Sequence, residues 1–136
     1  MSQPTTLKVK DICKAHEAIV ALIKDDRENK FVFPSAVRIK LAGNLRKTKP
    51  AYEDFTQVKV DLFKKYGDVV KDKDGNPTDK IQLRAADAEA ANKELADALE
   101  VDTHQTLNPI TVKDLGENQI DVELITVLQD TGLLTD

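Results

Sequence analysis

From Val9 to Ile23 the positions Val9, Ile12, His16, Ile19, Val20 and Ile23 recur at steps of three and four, which predicts one amphipathic helix carrying them on a shared face. Leu7-Lys8-Val9 just before it also reads as a short strand. The charged run from Asp25 to Lys30 predicts a turn. Phe31-Val32-Phe33 ahead of Pro34-Ser35 then predicts an extended lead into a second helix, with Ser35 as its cap.

In that second helix Leu41, Leu45, Thr48, Tyr52, Phe55, Lys59, Leu62 and Tyr66 alternate steps of four and three, the spacing of a coiled-coil seam. Lys59 breaks the apolar pattern. Pro50 lies inside it and lacks the donor a helix interior needs, so a kink or break is predicted near Thr48-Lys49. Gly67 is a natural stop. The polar segment from Lys71 to Lys80 holds Gly75, Asn76 and Pro77 and predicts an exposed connector. Beyond it Ile81, Ala85, Ala88, Asn92, Leu95 and Leu99 repeat the four-three step with small residues.

These patterns predict a mainly α fold: an antiparallel, coiled-coil-like helical hairpin with N- and C-terminal helices and a small two-stranded β element. One domain is expected over 1–136, with the hairpin at about 35–100, its exposed tip at 71–80 and an extended segment and helix at 101–136. The predicted seam sets Leu41, Leu45, Tyr52, Phe55, Leu62 and Tyr66 against Ala85, Ala88, Leu95 and Leu99, large side chains filling the space that small ones leave. In the final third, Leu107, Ile110, Val112 and Leu115 around Asn108-Pro109 predict short extended pieces, one of which could pair with Leu7-Lys8-Val9. Ile120, Leu124, Ile125, Leu128 and Leu133 predict a closing helix capped by Asn118 or Asp121.

Composition sharpens this picture. The chain has 136 residues, 40% apolar but only 4% aromatic, so its core must be mostly aliphatic, and 32% charged residues suit helices with exposed polar faces. The net charge of −4 conceals a division: residues 34–66 hold eight Lys/Arg against three Asp/Glu, and residues 84–136 hold three against twelve. A basic segment that shares a chain with an acidic one is most simply paired with it. No apolar run is long enough to cross a bilayer, and the N-terminus lacks a signal peptide's basic and apolar regions, so the cytoplasm of the producing cell is expected.

Catalytic chemistry leaves little trace. His16 and His104 fall in different elements without metal-ligand spacing, and Cys13 stands alone on a helical pattern as a small core residue. The run from Asp72 to Asn76 begins like a calcium loop, yet the sixth and twelfth positions from Asp72 are Pro77 and Leu83, where that loop needs glycine and an acid. No glycine-rich phosphate loop, nucleophile elbow or perturbed carboxylate pair is evident. The expectation is no enzyme, no cofactor, no metal and no small-molecule substrate. Arg38, Lys40, Arg46, Lys47 and Lys49 form the one basic face that could meet phosphate, but without interleaved aromatics an internally paired or solvated face is expected and nucleic acid is not.

Several of these segments together resemble a family of small proteins encoded by tailed bacteriophages and prophages. They are Phe33-Pro34-Ser35-Ala36-Val37 leading into Lys40-Leu41-Ala42-Gly43-Asn44-Leu45, then Phe63-Lys64-Lys65-Tyr66-Gly67 with the Asp74-Gly75-Asn76 turn, and finally Asn108-Pro109-Ile110-Thr111-Val112-Lys113-Asp114-Leu115 before a terminal helix. The resemblance implies a phage origin and transfers no site residues. It leads to the expectation of a protein acting through helical contacts in virion structure or assembly, in the host bacterial cytoplasm or in the virion. The expected partners are copies of itself or phage structural proteins. The alternative is a regulatory binder of a host protein, using the acidic final third.

Overall fold

The computed structural model describes residues 6–135. The protein is mainly helical with small two-stranded sheets, and it divides into two compact units, Met1–Tyr52 with Asp102–Asp136 and Glu53–Val101.

The first unit begins with strand β1 (Leu7–Lys8) and runs directly into helix α1 (Val9–Arg27). The helix buries Ile12, Ala15, Ala18, Ile19 and Leu22, whereas Val20 stays 45% exposed. The buried stripe is therefore rotated from the predicted face: the alanines, silent in a reading weighted to large side chains, mark where the neighbouring chain approaches. After a turn in which Asn29 adopts a positive φ of 62°, helix α2 (Ser35–Tyr66) begins. Its first amides, those of Val37 and Arg38, donate to the carbonyl of Pro34, so Ser35 is the first helical residue rather than the cap.

Helices α1 and α2 pack as an antiparallel hairpin. Asp26 near the end of α1 meets Arg38 near the start of α2, and His16 meets Thr48 and Tyr52 about three to four turns further along. The long helical hairpin thus turns at residues 28–34; at 71–80, where the sequence pattern had placed its tip, the chain makes a β-turn instead. Nor does α2 break at Thr48-Lys49: it continues through Pro50, which faces solvent, where water can serve the carbonyl that lacks a donor.

Returning from the second unit, strand β4 (Asp102–Gln105) pairs antiparallel with β1, matching Leu7 to Gln105. Strand β5 (Ile110–Thr111) lies parallel to the last strand, β6 (Leu134–Thr135). Between them are α4 (Val112–Leu115), whose Thr111 and Asp114 close a capping box, and α5 (Val122–Asp130), capped by Asp121 through the Glu123 amide. Ile19, Leu22, Phe33, Leu41, Ile110, Leu128 and Leu133 form the core, each fully or almost fully enclosed. Full burial of each such side chain is worth roughly 1.5–3 kcal/mol.

Charge follows this assembly closely. Residues 1–52 carry eleven Lys/Arg against five Asp/Glu, and residues 102–136 carry one against seven, so the unit joins segments of balance +6 and −6.

In the second unit the last turns of α2 lead into a β-hairpin of β2 (Gly67–Lys71) and β3 (Pro77–Leu83), followed by a 3-10 turn (Ala85–Asp87) and helix α3 (Ala88–Leu99). The β-branched Val69-Val70 and Ile81 flank an Asp-Gly turn, the pattern that favours strands over helix. Asp72 Oδ1 accepts from the amides of Asp74 and Asn76, and Gly75 supplies the positive φ the turn requires. Gly67 lies where β2 leaves the helix: a Cβ there would meet Phe63 O at 2.5 Å and Ile81 Cγ2 at 2.6 Å.

Candidate functional site

The five basic residues of α2 separate into two sets. On one flank, Lys40 Nζ lies 3.6 Å from Asp114 and Lys47 Nζ donates to the Thr106 carbonyl at 3.1 Å. Asn44, fully buried between them, donates to the carbonyl of Asn108 and accepts from its amide. This flank is occupied by the chain's own C-terminal segment. Arg38 and Arg46 lie together on another flank and Lys49 is exposed, so the basic face expected from the sequence is not one continuous surface.

Arg38 holds Asp26 with two bonds, Nε to Oδ2 at 2.7 Å and Nη2 to Oδ1 at 3.1 Å. The guanidinium is the main reason the Asp26 carboxyl titrates below the usual aspartate range; the Phe33 amide adds to it and desolvation opposes it. Asp114 and Asp102 are also lowered, chiefly by the backbone amides of Thr111 and His104 respectively.

Beside Arg38, two adjoining clefts open between α1 and α2, of about 460 and 550 Å³. They share Ile23, Arg27 and Leu45. Val20 and Ala42 extend the apolar floor, and Lys24 and Arg46 stand on the rim. Sequence reasoning set Val20, Ile23 and Leu45 on core faces and did not single out Arg27. Its signal is the exposed repeat of Val20, Lys24 and Arg27 at steps of four and three.

The predicted seam residues divide between the units. In the first, Leu41 is buried, Leu45 packs at the core margin, and the Tyr52 ring stacks on His16 with centroids 4.2 Å apart. His16 Nδ1 also lies 2.9 Å from the hydroxyl of the buried Thr48. In the second, Phe55, Leu62, Tyr66, Ala88, Leu95 and Leu99 are half-buried and Ala85 is exposed in the 3-10 turn. Lys65 Nζ lies 3.5 Å from Glu94 Oε1, which brings the end of α2 to α3. Arg84 ties the same region together, donating to Lys65 O, Asp68 and Asp87. Yet Ala91 is the one residue from Glu53 to Val101 that is fully buried.

No family model, curated protein or solved structure matches this chain. Among the described residues, no group of three or more His, Cys, Asp or Glu side chains could hold a metal ion. No described helix is long and apolar enough to cross a membrane.

Proposed function

We propose that this is a non-enzymatic protein of phage origin that acts through helical protein–protein contacts in virion structure or assembly, and that it associates with copies of itself. The observation that carries the reading is the second unit's burial: 49 residues, from Glu53 to Val101, enclose Ala91 alone. A unit of this size without a core is marginal by itself, and an isolated two-stranded hairpin is too. Half-buried Phe55, Leu62, Tyr66, Leu95 and Leu99, together with exposed Val58, Val60, Val69 and Val101, supply the apolar area that association would cover.

The phage origin rests on the sequence resemblance. Mass spectrometry of particles and assembly intermediates purified from producing cells tests the role: the expected result is the chain at fixed stoichiometry in one of them. Its absence from both overturns the reading. A regulatory binder using the acidic final third draws less support, because the Asp102 carboxylate accepts from the Thr6 hydroxyl and the Asp114 carboxylate from the Thr111 amide, with Lys40 beside it.

A further inference from the structure

We propose that the open side of the α1–α2 pair binds an acidic amphipathic helix from a second protein. This surface belongs to the first unit and is separate from the one argued above for self-association, so either reading can fail without the other.

The covered side of the same helix pair shows what chemistry such a surface accepts. There α5 lies against α1, its Leu124 and Val127 lining an apolar cleft with Ala18 and Ala21 that Lys14, Glu17, Asp25, Asp121 and Glu123 surround, and the charge match with the C-terminal segment is made by α2, where Lys40 lies 3.6 Å from Asp114. The C-terminal segment as a whole brings its surplus of negative charge to helices whose segment carries the surplus of positive charge. The open side shares the apolar floor, at Val20, Ile23 and Leu45, but its flanks are mainly cationic, with Lys24, Arg27, Arg38 and Arg46 against Asp26 and Glu28.

Charge decides the occupant. Of the two carboxylates beside the cleft, Asp26 is taken by Arg38, and Glu28 lies 3.5 Å from Lys30. Lys24, Arg27 and Arg46 have no carboxylate partner among the described residues. Three unmatched cations around an aliphatic floor suit a helix with one apolar stripe bordered by Asp or Glu. A phosphate backbone would satisfy the cations and leave Val20, Ile23 and Leu45 uncovered, with no aromatic ring on the floor for a base to stack on. Val20 to Arg27 spans about 10 Å and Arg38 to Arg46 about 12 Å, so the occupant makes about two helical turns of contact.

The test selects helical peptides of about 14 residues on the full chain, from a display library with positions randomised among Leu, Ala, Ser, Asp, Glu and Lys. The enriched peptide is then measured by fluorescence anisotropy. Enrichment of Asp/Glu beside an i, i+4, i+7 apolar stripe is expected, with binding weakened at least about tenfold in the double variant Arg27→Glu, Arg46→Glu and further weakened by salt. Both residues are exposed, so the variant should melt with the wild type; if it does not, the neutral pair Arg27→Gln, Arg46→Gln takes its place. No enriched sequence, enrichment of neutral or basic peptides, or affinity unchanged within about twofold in the folded variant overturns the proposal.

Discussion

Asn44 holds Asn108 by both of its backbone polar groups: the amide nitrogen of the side chain donates to the Asn108 carbonyl at 2.8 Å, and the side-chain oxygen accepts the Asn108 N–H at 2.8 Å. A side chain on α2 thus takes the place that a neighbouring strand would fill, just where Pro109 denies the chain a donor. Asn118 treats Val32 the same way, accepting from its amide at 2.8 Å and donating to its carbonyl at 3.1 Å. Together they attach the C-terminal segment to α2 and to the α1–α2 turn.

Replacing Asn44 with alanine removes both bonds and leaves a buried gap, a loss of about 2–3 kcal/mol, measurable by urea denaturation. Asn44→Asp should be worse at neutral pH, because a carboxylate then faces the Asn108 carbonyl. Its deficit should shrink in acid, since the protonated carboxyl can donate again. An aspartate variant as stable as wild type at pH 7 contradicts this account of the contact.

Acid sensitivity follows from Asp26, Asp102 and Asp114, whose carboxyls titrate below the ordinary aspartate value in the folded chain. A depressed folded value means the stabilisation is complete above the unfolded value of about 3.9 and is lost as pH falls below it. Melting temperature should therefore hold from neutral pH to about 5 and drop below about 4. Asp26→Asn should lower it at pH 7 and flatten part of the acid limb. A limb unchanged in that variant would show that Asp26 does not contribute.

Gly67 is the most constrained glycine, because a methyl group there would collide with Phe63 O, Ile81 Cγ2 and Gln82 O. Two of these are backbone atoms and cannot swing aside. Gly67→Ala should destabilise by roughly 1–3 kcal/mol or more, with hydrogen-exchange protection lost first in β2 and β3. Wild-type protection in the hairpin would refute the close packing of that junction.

The sequence made long features legible and short ones less so. The helical class and the closing helix with Asp121 as its cap follow from periodicity and capping chemistry, although α5 ends at Asp130, short of Leu133. Leu7-Lys8 does form a strand, but its partner is the polar Asp102–Gln105 rather than the apolar piece around Ile110, which pairs with Leu134–Thr135 instead. The hairpin at 67–83 is obscured in the sequence because Val69-Val70 and Ile81 are short apolar marks inside a polar run, where an Asp-Gly turn looks the same as an exposed connector. The partner of α2 in the long hairpin was misplaced because a four-three spacing specifies a seam but not what fills it. α1, with its buried alanines at 15 and 18, has the small residues that allow close approach, as Ala85 and Ala88 also do by sequence alone. At the cleft, Ile23 and Leu45 were legible as apolar and Arg46 as basic. That they border one open surface depends on the α1–α2 crossing, which no local pattern encodes. Asn44 was unreadable as a core residue because its burial depends on the Asn108 backbone, 64 positions away.

The proposed self-association would complete the second unit, whose only fully buried residue is Ala91. Light scattering across a range of protein concentrations and salt tests it most directly. A defined oligomer that persists on dilution, and that dissociates when Val58 and Val69 are changed to aspartate, is the predicted result. A clean monomer at every concentration, with the second unit as protected from hydrogen exchange as the first, would contradict it.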